Sequence, residues 1–370
     1  MDRHILIDIE DERECIKVAV HGGDVYSASE ILGNLDVVDF SANINPLGVP
    51  DSVHEAIVQN IDRLRNYPDP KCRKLREAIG EFHGIHPDQV VCGNGGADII
   101  FRLVYSIRPK RALIPVPTFS EYGEALEKNG SDVNYFELAY PFDITDALLE
   151  ELKKGEYDFL VICNPNNPTG SLIDNDLMNE IMNYTKENNI YVLLDECFYD
   201  MTDDEMGLNS LISDIDKYPN LIILKSLTKL YAIPGLRLGY GISSDTDLIS
   251  KIATIGQPWS VNVMAELAGC AALKDYIYRS KSIHYLKKER EYLYNGLKEL
   301  GFEVWKSNAN YIFFRVEGCN NLDELLFHKY ILLRHCDTYK GLNSEYYRAA
   351  VKSRVENNYL LHSLKKVLAV

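Results

Sequence analysis

The chain has 370 residues and a formal net charge of -16 at pH 7, with 46% hydrophobic and 25% charged residues. This length predicts two domains, and the acidic balance argues against nucleic acid or an anionic membrane surface as a partner. No apolar run approaches the roughly 20 residues of a membrane span, and the N-terminus lacks the basic and apolar segments of a signal peptide. The scattered cysteines form no C-x-x-C pair. We therefore expect a cytoplasmic protein with reduced thiols and no metal site.

Turns and helices alternate in the N-terminal part of the chain. His21 precedes two glycines, which could form a plain turn before a helix, and Asn43 opens a loop over 43–48. A helix is predicted over the segment VHEAIVQNIDRL. Tyr67 follows it, and the Pro-Asp-Pro sequence after Tyr67 fixes an extended turn.

A glycine-rich turn follows next, in the segment VVCGNGGADIIFRLVYSI. This pattern predicts a strand, a turn and an apolar helix that begins at Ala97. Free backbone N–H groups at such a helix start, beside Gly96, can hold a phosphate, although an ordinary tight turn has the same composition. The spacing is not G-x-G-x-x-G, so it gives no support to a nicotinamide cofactor.

Three candidate residues follow buried strands in the central part of the chain. Phe119 comes after RALIPV, Asn167 lies in the loop NPNNPTG after FLVIC, and Asp195 closes YVLLD. Strands and helices alternate here, which predicts a mostly parallel sheet, and ligands bind at the carboxyl ends of such strands. Phe119 could be ordinary core or could stack on a ring. Asp195 could lie at the surface; if buried, it needs a cationic partner such as a protonated pyridine nitrogen.

The most informative stretch is LIILKSLTKLYAIPGLRLGY, which predicts a buried strand and a glycine-containing loop. Lys229 lies on this loop, flanked by Ser226 and Thr228 and followed by Arg237. Hydroxyls and a guanidinium suit a phosphate, and an amine beside them can condense with an aldehyde. An aldehyde and a phosphate on one small molecule indicate pyridoxal 5'-phosphate.

The pattern changes in the C-terminal part, which predicts an α+β domain. A long amphipathic helix, IYRSKSIHYLKKEREYLYNGLKEL, precedes the predicted strands FEVWKSNANYIFFRV and YILLRHC and a final helical segment from about Ser344. Arg334, Arg348 and Arg354 fall in this region. Single arginines usually lie in solvent, but a group of them on so acidic a protein could form an anion pocket.

Asn167 in NPNNPTG, Asp195 in DEC, and SLTK with Arg237 together resemble the fold-type I pyridoxal-phosphate enzymes of aminotransferase class I/II. Within that class the chain resembles the histidinol-phosphate aminotransferases, although those typically have a Gly-Thr pair where this chain has Lys352-Ser353-Arg354. It resembles more closely the threonine-phosphate decarboxylase branch of cobalamin synthesis, in the segments HGG, DFSANINPLG, PTFSEY and YYRAAVKSRVEN. The resemblance implies an α/β, aspartate aminotransferase-like fold with a mostly parallel seven-stranded sheet. A large domain would span 46–265, and a small α+β domain would combine 1–45 and 266–370.

The resemblance also implies a role for each candidate cofactor residue. Lys229 would bind the cofactor covalently and move protons, and Asp195 would pair with the pyridinium nitrogen. Asn167 would bond the ring hydroxyl and Phe119 would stack on the ring. The groups implied for the cofactor phosphate are the backbone of Gly96 and Ala97, the side chains of Ser226, Thr228 and Arg237, and Tyr67 from the neighbouring subunit of a homodimer.

The substrate would be a small amino acid or amine phosphate. Arg348 would bind its carboxylate, Arg334 and Arg354 would hold its phosphate, and His21 and Asn43 would line that pocket. The reaction depends on which bond at the substrate α-carbon stands perpendicular to the cofactor ring, so decarboxylation and transamination with 2-oxoglutarate both stay open. A binding module without catalysis is a remote alternative. The chain could also be one end of a larger fused protein.

One residue departs from the family pattern. Many aminotransferases have a tyrosine three positions after the aspartate, and this chain has Phe198 there, with Tyr199 next. Loss of a donor to the ring hydroxyl changes how the cofactor is tuned. This favours a reaction other than transamination without deciding it.

Overall fold

The computed structural model describes residues 22–33 and 36–369. Its helices are α1 (Val25–Ile31), α2 (Asp51–Val58), α3 (Arg73–His83), α4 (Gly96–Ile107), α5 (Glu121–Lys128), α6 (Asp146–Lys154), α7 (Asn175–Glu187), α8 (Leu227–Leu230), α9 (Thr246–Ile255), α10 (Val263–Lys274), α11 (Tyr276–Glu299), α12 (Leu322–Phe327) and α13 (Arg354–Leu368). Its strands are β1 (Val38–Asp39), β2 (Val90–Gly93), β3 (Arg111–Val116), β4 (Asp132–Glu137), β5 (Phe159–Cys163), β6 (Tyr191–Asp195), β7 (Leu221–Ser226), β8 (Gly239–Ile242), β9 (Glu303–Val304), β10 (Tyr311–Arg315), β11 (Ile331–Leu332), β12 (Arg334–His335) and β13 (Tyr346–Ala350). Within these ranges, no helix is both long enough and apolar enough to cross a membrane.

A seven-stranded sheet forms the centre of the molecule, in the order β2-β8-β7-β6-β5-β3-β4. β8 runs antiparallel to both of its neighbours, and the pairs from β7 to β4 are parallel. Alternate residues of β5 face opposite sides: Leu160 joins one apolar cluster and Val161 joins another. Both faces are therefore covered, as parallel strands require, and the predicted α/β fold with a mostly parallel seven-stranded sheet is confirmed.

A second, antiparallel sheet has the order β12-β13-β10-β9; α11 packs against β9 and β10, and α13 packs against α11. Strand β1 pairs in parallel with β11, so the N-terminal segment near Asp39 lies beside the C-terminal part of the chain. The second sheet lies within 303–350, in the region predicted to be α+β. The domain boundaries at 45 and 265 stay a prediction.

The segment from Ser344 was predicted to be helical, and this prediction was wrong. Residues 346–350 form β13, which is hydrogen-bonded between β10 and β12 and largely buried. Helix α13 begins only at Arg354, where Ser353 caps it and its side chain pairs with Glu356 in a capping box. The sequence S-R-V-E contains that capping signal, which is a better guide to the helix start than apolar periodicity.

The segment VHEAIVQNIDRL is also less regular than predicted. Helix α2 ends at Val58, and a 3-10 helix, Ile61–Arg65, follows after a break. The long helix was predicted well, since α11 covers Tyr276–Glu299.

Candidate active site

A cavity of about 300 Å³ opens where the parallel strands end. Strands β5, β6 and β7 deliver Cys163, Asp195 and Ser226 to its wall, as expected because the carboxyl ends of parallel strands share one edge of a sheet. Most of the predicted site residues line this one cavity: Asn43, Gly96, Ala97, Phe119, Asn167, Asp195, Ser226, Thr228, Lys229, Arg237, Arg334 and Arg348.

The start of α4 is packed closely against Arg237 and β8. Gly95 has a φ of +89°, and a Cβ atom there would lie 2.5 Å from Nη2 of Arg237. A Cβ atom at Gly239 would lie 2.7 Å from the backbone nitrogen of Gly96. These glycines let the guanidinium and the first N–H groups of the helix share one wall of the cavity, which suits a phosphate.

Two hydroxyls extend this wall. The Oγ atom of Ser226 and the Oγ1 atom of Thr228 are 2.7 Å apart, and Ser226 also accepts from the backbone N–H of Thr228 at 3.3 Å. Ser226 thereby caps the short helix α8, on which Lys229 lies. The cap holds the lysine and the hydroxyls in a fixed relation.

The amine of Lys229 has an unusual acidity. Burial lowers its pKa to about 8, and the positive charges of Arg348 and Arg237 act in the same direction. A substantial fraction of the amine is therefore neutral near physiological pH. A neutral amine is the form that attacks an aldehyde or accepts a proton.

Asp195 is 6% exposed, so the interpretation as a surface residue does not hold. Its Oδ2 accepts from the Tyr122 hydroxyl at 2.6 Å, and its Oδ1 accepts from the N–H of Cys197 at 2.8 Å. Burial raises the pKa of this carboxyl, while the hydrogen bonds oppose the rise. Among the described residues no lysine, arginine or histidine forms an ion pair with it, so the cavity holds a buried carboxylate without a directly paired cation.

Asn167 and Arg348 are in direct contact. Nη1 of Arg348 donates to Oδ1 of Asn167, and its Nη2 donates to the backbone oxygen of Ser41 at 2.7 Å. The Tyr339 hydroxyl lies 3.2 Å from both Oδ1 of Asn167 and Nη1 of Arg348. No sequence pattern points to Tyr339, because it lies in the turn between β12 and β13 and belongs to no motif.

Arg334 and Arg348 are in-register partners across β12 and β13, and both line the cavity. Arg334 donates to Oγ1 of Thr338 at 2.8 Å and its guanidinium lies over the Tyr339 ring. Nε of Arg348 and Oδ1 of Asn43 are buried without a hydrogen-bond partner in the described part of the chain. Because both are cations with unused donors, this side of the cavity can serve as an anion site.

Arg354 does not reach the cavity, which corrects its prediction as a phosphate ligand. Its Nε and Nη2 donate to the Glu289 carboxylate at 2.8 and 3.0 Å, and its guanidinium lies over Tyr292. As the first residue of α13, Arg354 faces α11, whereas Arg348 faces the cavity from β13. His21 lies outside the described residues, although its neighbour Gly22 lines the cavity.

Tyr67 does not line the cavity of its own chain. It is 80% exposed and stacks on Trp259 with 4.7 Å between ring centroids. Its role in a neighbouring subunit stays a prediction.

The structure does not change the expectation that a tyrosine donor to the ring hydroxyl is missing after Asp195. Phe198 lines the cavity and meets Tyr311 edge-on at 5.0 Å. The hydroxyl of Tyr199 is used elsewhere, since it donates to Asp204 at 3.0 Å.

Comparisons with known proteins agree with this geometry. The family model described as aminotransferase class I and II matches residues 35–364. Threonine-phosphate decarboxylase of Salmonella typhimurium is 39% identical over 356 residues, which cover 95% of this chain and 97% of the relative. The structure of histidinol-phosphate aminotransferase from Clostridium acetobutylicum is 32% identical with a TM-score of 0.84, covering 90% of this chain and 99% of that one. Histidinol-phosphate aminotransferase from Sinorhizobium meliloti, solved in complex with pyridoxal-5'-phosphate, is 19% identical with a TM-score of 0.85, and the match covers 97% and 98% of the two chains.

The donor set of the cavity fits pyridoxal phosphate. The unpaired buried carboxylate of Asp195 suits a protonated ring nitrogen, and the wall of N–H groups, hydroxyls and guanidinium suits a phosphate. The amine of Lys229, with a pKa of about 8, suits the aldehyde. With the family match over nearly all of its length, this chain belongs to aminotransferase class I and II and is a pyridoxal-phosphate enzyme.

Proposed function

We propose that this enzyme acts on a small phosphorylated amino acid and that decarboxylation of L-threonine O-phosphate is the reaction that its site supports best. The observation that carries this proposal is the pairing of Arg334 with Arg348 across β12 and β13, inside the cavity that contains Lys229. A phosphorylated amino acid has two anionic groups, a carboxylate and a phosphate, and each guanidinium suits one of them. The 39% identity to a threonine-phosphate decarboxylase supports the same assignment.

The residues of the cavity divide the work of such a reaction. Arg348 would orient the substrate carboxylate through its unused Nε–H, and Arg334 would hold the phosphate. When bound, the cofactor withdraws electrons from the substrate α-carbon. Asp195 would hold the ring nitrogen in its charged form, and Lys229 would accept and return a proton near neutral pH.

Transamination of histidinol phosphate is the second candidate, favoured by the 32% identity to a solved histidinol-phosphate aminotransferase. Histidinol phosphate has a phosphate but no carboxylate, whereas the co-substrate 2-oxoglutarate has two carboxylates. Both arginines would then serve each substrate in turn. Phe198, in place of a tyrosine donor, weighs against this reaction.

Product analysis separates the two reactions. The holoenzyme would be incubated with L-threonine O-phosphate, with L-serine O-phosphate, and with histidinol phosphate plus 2-oxoglutarate. Release of carbon dioxide without consumption of a keto acid is the expected result. Formation of glutamate from 2-oxoglutarate would establish the transaminase instead, and no turnover of any of them would refute both.

We also propose a homodimer with shared active sites. Tyr67 and Trp259 are both exposed, and exposed apolar side chains precede them at Val58, Ile61 and Leu64. A surface with several exposed apolar side chains is suited to burial against a second copy of this chain. Tyr67 would then reach the phosphate wall of the partner's cavity.

Mixing an inactive and an impaired variant tests this arrangement. A dimer of Lys229→Ala and Tyr67→Phe chains would contain one cavity with both native residues. We expect the mixture to exceed the activity of either parent, and light scattering to give twice the mass of one chain. A monomer, or a mixture no more active than its parents, would contradict the proposal.

A cytoplasmic location is part of the same proposal. Buried free thiols at Cys92, Cys163 and Cys336 suit a reducing compartment. Fractionation of cells that express a tagged protein would test it, and recovery with secreted markers would contradict it.

A further inference from the structure

We propose that Tyr339 is a positioning residue that couples the cofactor side of the cavity to its substrate side, through Asn167 and Arg348. The proposal rests on the function proposed above. Tyr339 is 7% exposed and lines the cavity, in the turn between β12 and β13. Its hydroxyl lies within hydrogen-bond distance of one residue from each side, at 3.2 Å from both.

The hydrogen-bond donors around Asn167 fix the orientation of its carboxamide. Arginine has donors and no acceptor, so the Asn167 atom that faces Arg348 must be the oxygen. The Tyr339 hydroxyl donates to the same oxygen. Within the described chain the Asn167 side-chain nitrogen donates to no protein acceptor, and it is therefore the atom left for a ligand in the cavity.

The same hydroxyl also constrains Arg348. Nη1 of Arg348 donates to the oxygen atoms of both Asn167 and Tyr339, which uses both of its hydrogens. Nη2 is held by the backbone oxygen of Ser41. The guanidinium is thereby locked in one plane, with Nε left unpaired for a carboxylate.

The ring of Tyr339 has a further contact with the anion site. The guanidinium of Arg334 lies over it, 5.4 Å from the centroid. A Tyr339→Phe substitution keeps this ring and its contact with Arg334. It removes only the hydroxyl, so Asn167 loses a donor and Nη1 of Arg348 loses an acceptor.

Tyr346→Phe is a matched control on the adjacent strand. Tyr346 stacks on Phe313 at 5.4 Å, away from the cavity, and its hydroxyl makes no hydrogen bond to any described residue. Both variants would be prepared as holoenzymes. The readouts would be the pH midpoint of the cofactor's visible absorbance and the Kd for 3-phosphonopropionate, which has a carboxylate and a phosphonate but no amine.

For Tyr339→Phe we expect the absorbance midpoint to rise by about 0.3 to 1 unit and the Kd to rise about 3- to 10-fold. The midpoint rises because a poorly oriented Asn167 is a weaker hydrogen-bond donor to the cofactor ring oxygen. The negative charge of that oxygen is then less well stabilised, so the cofactor holds its titrating proton to a higher pH. The Kd rises because Arg348 is less well oriented. Tyr346→Phe should match the wild type in both. A Tyr339→Phe enzyme that also matches the wild type would overturn the proposal.

Repeating the Tyr339→Phe substitution in a protein that lacks the Asn167 carboxamide shows whether the shift of the absorbance midpoint depends on Asn167. In Asn167→Ala enzyme, Tyr339→Phe should leave the absorbance midpoint unchanged while still raising the Kd, because the contact with Arg348 persists. Equal midpoint shifts in both backgrounds would show that Tyr339 acts through packing alone, and the coupling would be refuted. A wild-type enzyme that turns over no phosphorylated amino acid would refute the proposed function instead, and the absorbance comparison would still decide the link to Asn167.

Discussion

Arg334 and Arg348 stand directly opposite each other on β12 and β13, with both side chains at one cavity. Like charges in directly opposed positions of an antiparallel pair destabilise it. Neither guanidinium has a carboxylate partner in the part of the chain that the structure describes. The hairpin therefore holds two cations at one cavity at some expense in stability, an arrangement that suits an anionic ligand.

The first prediction concerns Arg334→Gln. Because the substitution removes the repulsion, we expect the ligand-free protein to be unchanged or up to about 1 kcal/mol more stable. The KM for the phosphorylated substrate should rise about 10-fold or more, because a charge-assisted hydrogen bond is lost. Urea unfolding and steady-state kinetics measure the two effects.

The control for that variant is Arg315→Gln on β10. Arg315 is paired with Glu345 and lies outside the cavity, so its loss should lower stability and leave KM unchanged. An Arg334→Gln protein that shows this control pattern would contradict the interpretation of the hairpin as an anion site.

The second prediction concerns the Asp195 carboxylate. Asp195→Asn keeps the size of the side chain but removes its charge, so the cofactor ring nitrogen loses its counter-charge. We expect kcat to fall about 100-fold or more, the scale of losing a major electrostatic group at a reacting centre. Tyr122→Phe removes one hydrogen bond to the same carboxylate and should cost only about 3- to 10-fold. A kcat for Asp195→Asn within threefold of the wild type would end this assignment.

The third prediction is a pH dependence set by Lys229. Only the neutral amine condenses with an aldehyde, and the pKa of this lysine is about 8. Stopped-flow absorbance should show cofactor capture by the apoprotein accelerating from pH 7 to pH 9, with a midpoint near 8. Lys229→Ala should show no capture. Arg348→Met removes a nearby positive charge and should move the midpoint upward; a midpoint above 10 in the wild type would contradict the buried environment.

The same lysine links pH to stability. Its folded-state pKa of about 8 lies below its ordinary value of 10.5, so the folded chain binds fewer protons than the unfolded chain between these values. The contribution of Lys229 to the free energy of unfolding therefore rises with pH in that window. Comparison of wild type and Lys229→Ala by urea unfolding at pH 7.5 and 9.5 measures the difference.

The fourth prediction concerns two glycines in the Lys229 loop region. A methyl group at Gly239 would lie 2.7 Å from the backbone nitrogen of Gly96, whereas one at Gly235 would have no atom within 4 Å beyond its own residue and its two chain neighbours. Gly239→Ala should therefore cost about 1–3 kcal/mol and weaken cofactor binding, because β8 and the start of α4 must separate. Gly235→Ala should change stability by less than about 0.5 kcal/mol. Calorimetry and cofactor titration test this, and equal behaviour of the two variants would contradict the close packing.

The fifth prediction separates Arg354 from the anion site. Arg354→Gln leaves the buried carboxylate of Glu289 without its bidentate partner, so we expect a loss of about 1–2 kcal/mol, reduced because Arg354 itself is partly in solvent. The KM for the phosphorylated substrate should stay within twofold of the wild type. A large rise in KM with unchanged stability would restore Arg354 to the substrate site.

The sequence was sufficient to place three candidate cofactor residues at one cavity. Asn167, Asp195 and Lys229 each follow a buried apolar run, and the parallel arrangement of such strands places their carboxyl ends at one edge. No knowledge of strand order was needed, since every order of these strands brings the same ends together.

The substrate side depended on pairing that local patterns do not encode. With β13 taken as a helix, local sequence patterns cannot show which arginines share a face, and they group Arg354 with Arg348. Antiparallel pairing of β13 with β12 and β10 instead turns Arg348 toward the cavity opposite Arg334 and leaves Arg354 to α13. The contact of Tyr339 with Asn167 joins residues 172 positions apart, and only the packing of the second sheet against the first creates it. The sequence by itself determined which chemical groups end the strands, while the tertiary structure decided which distant side chains meet them, because register and side-chain direction are set by long-range packing.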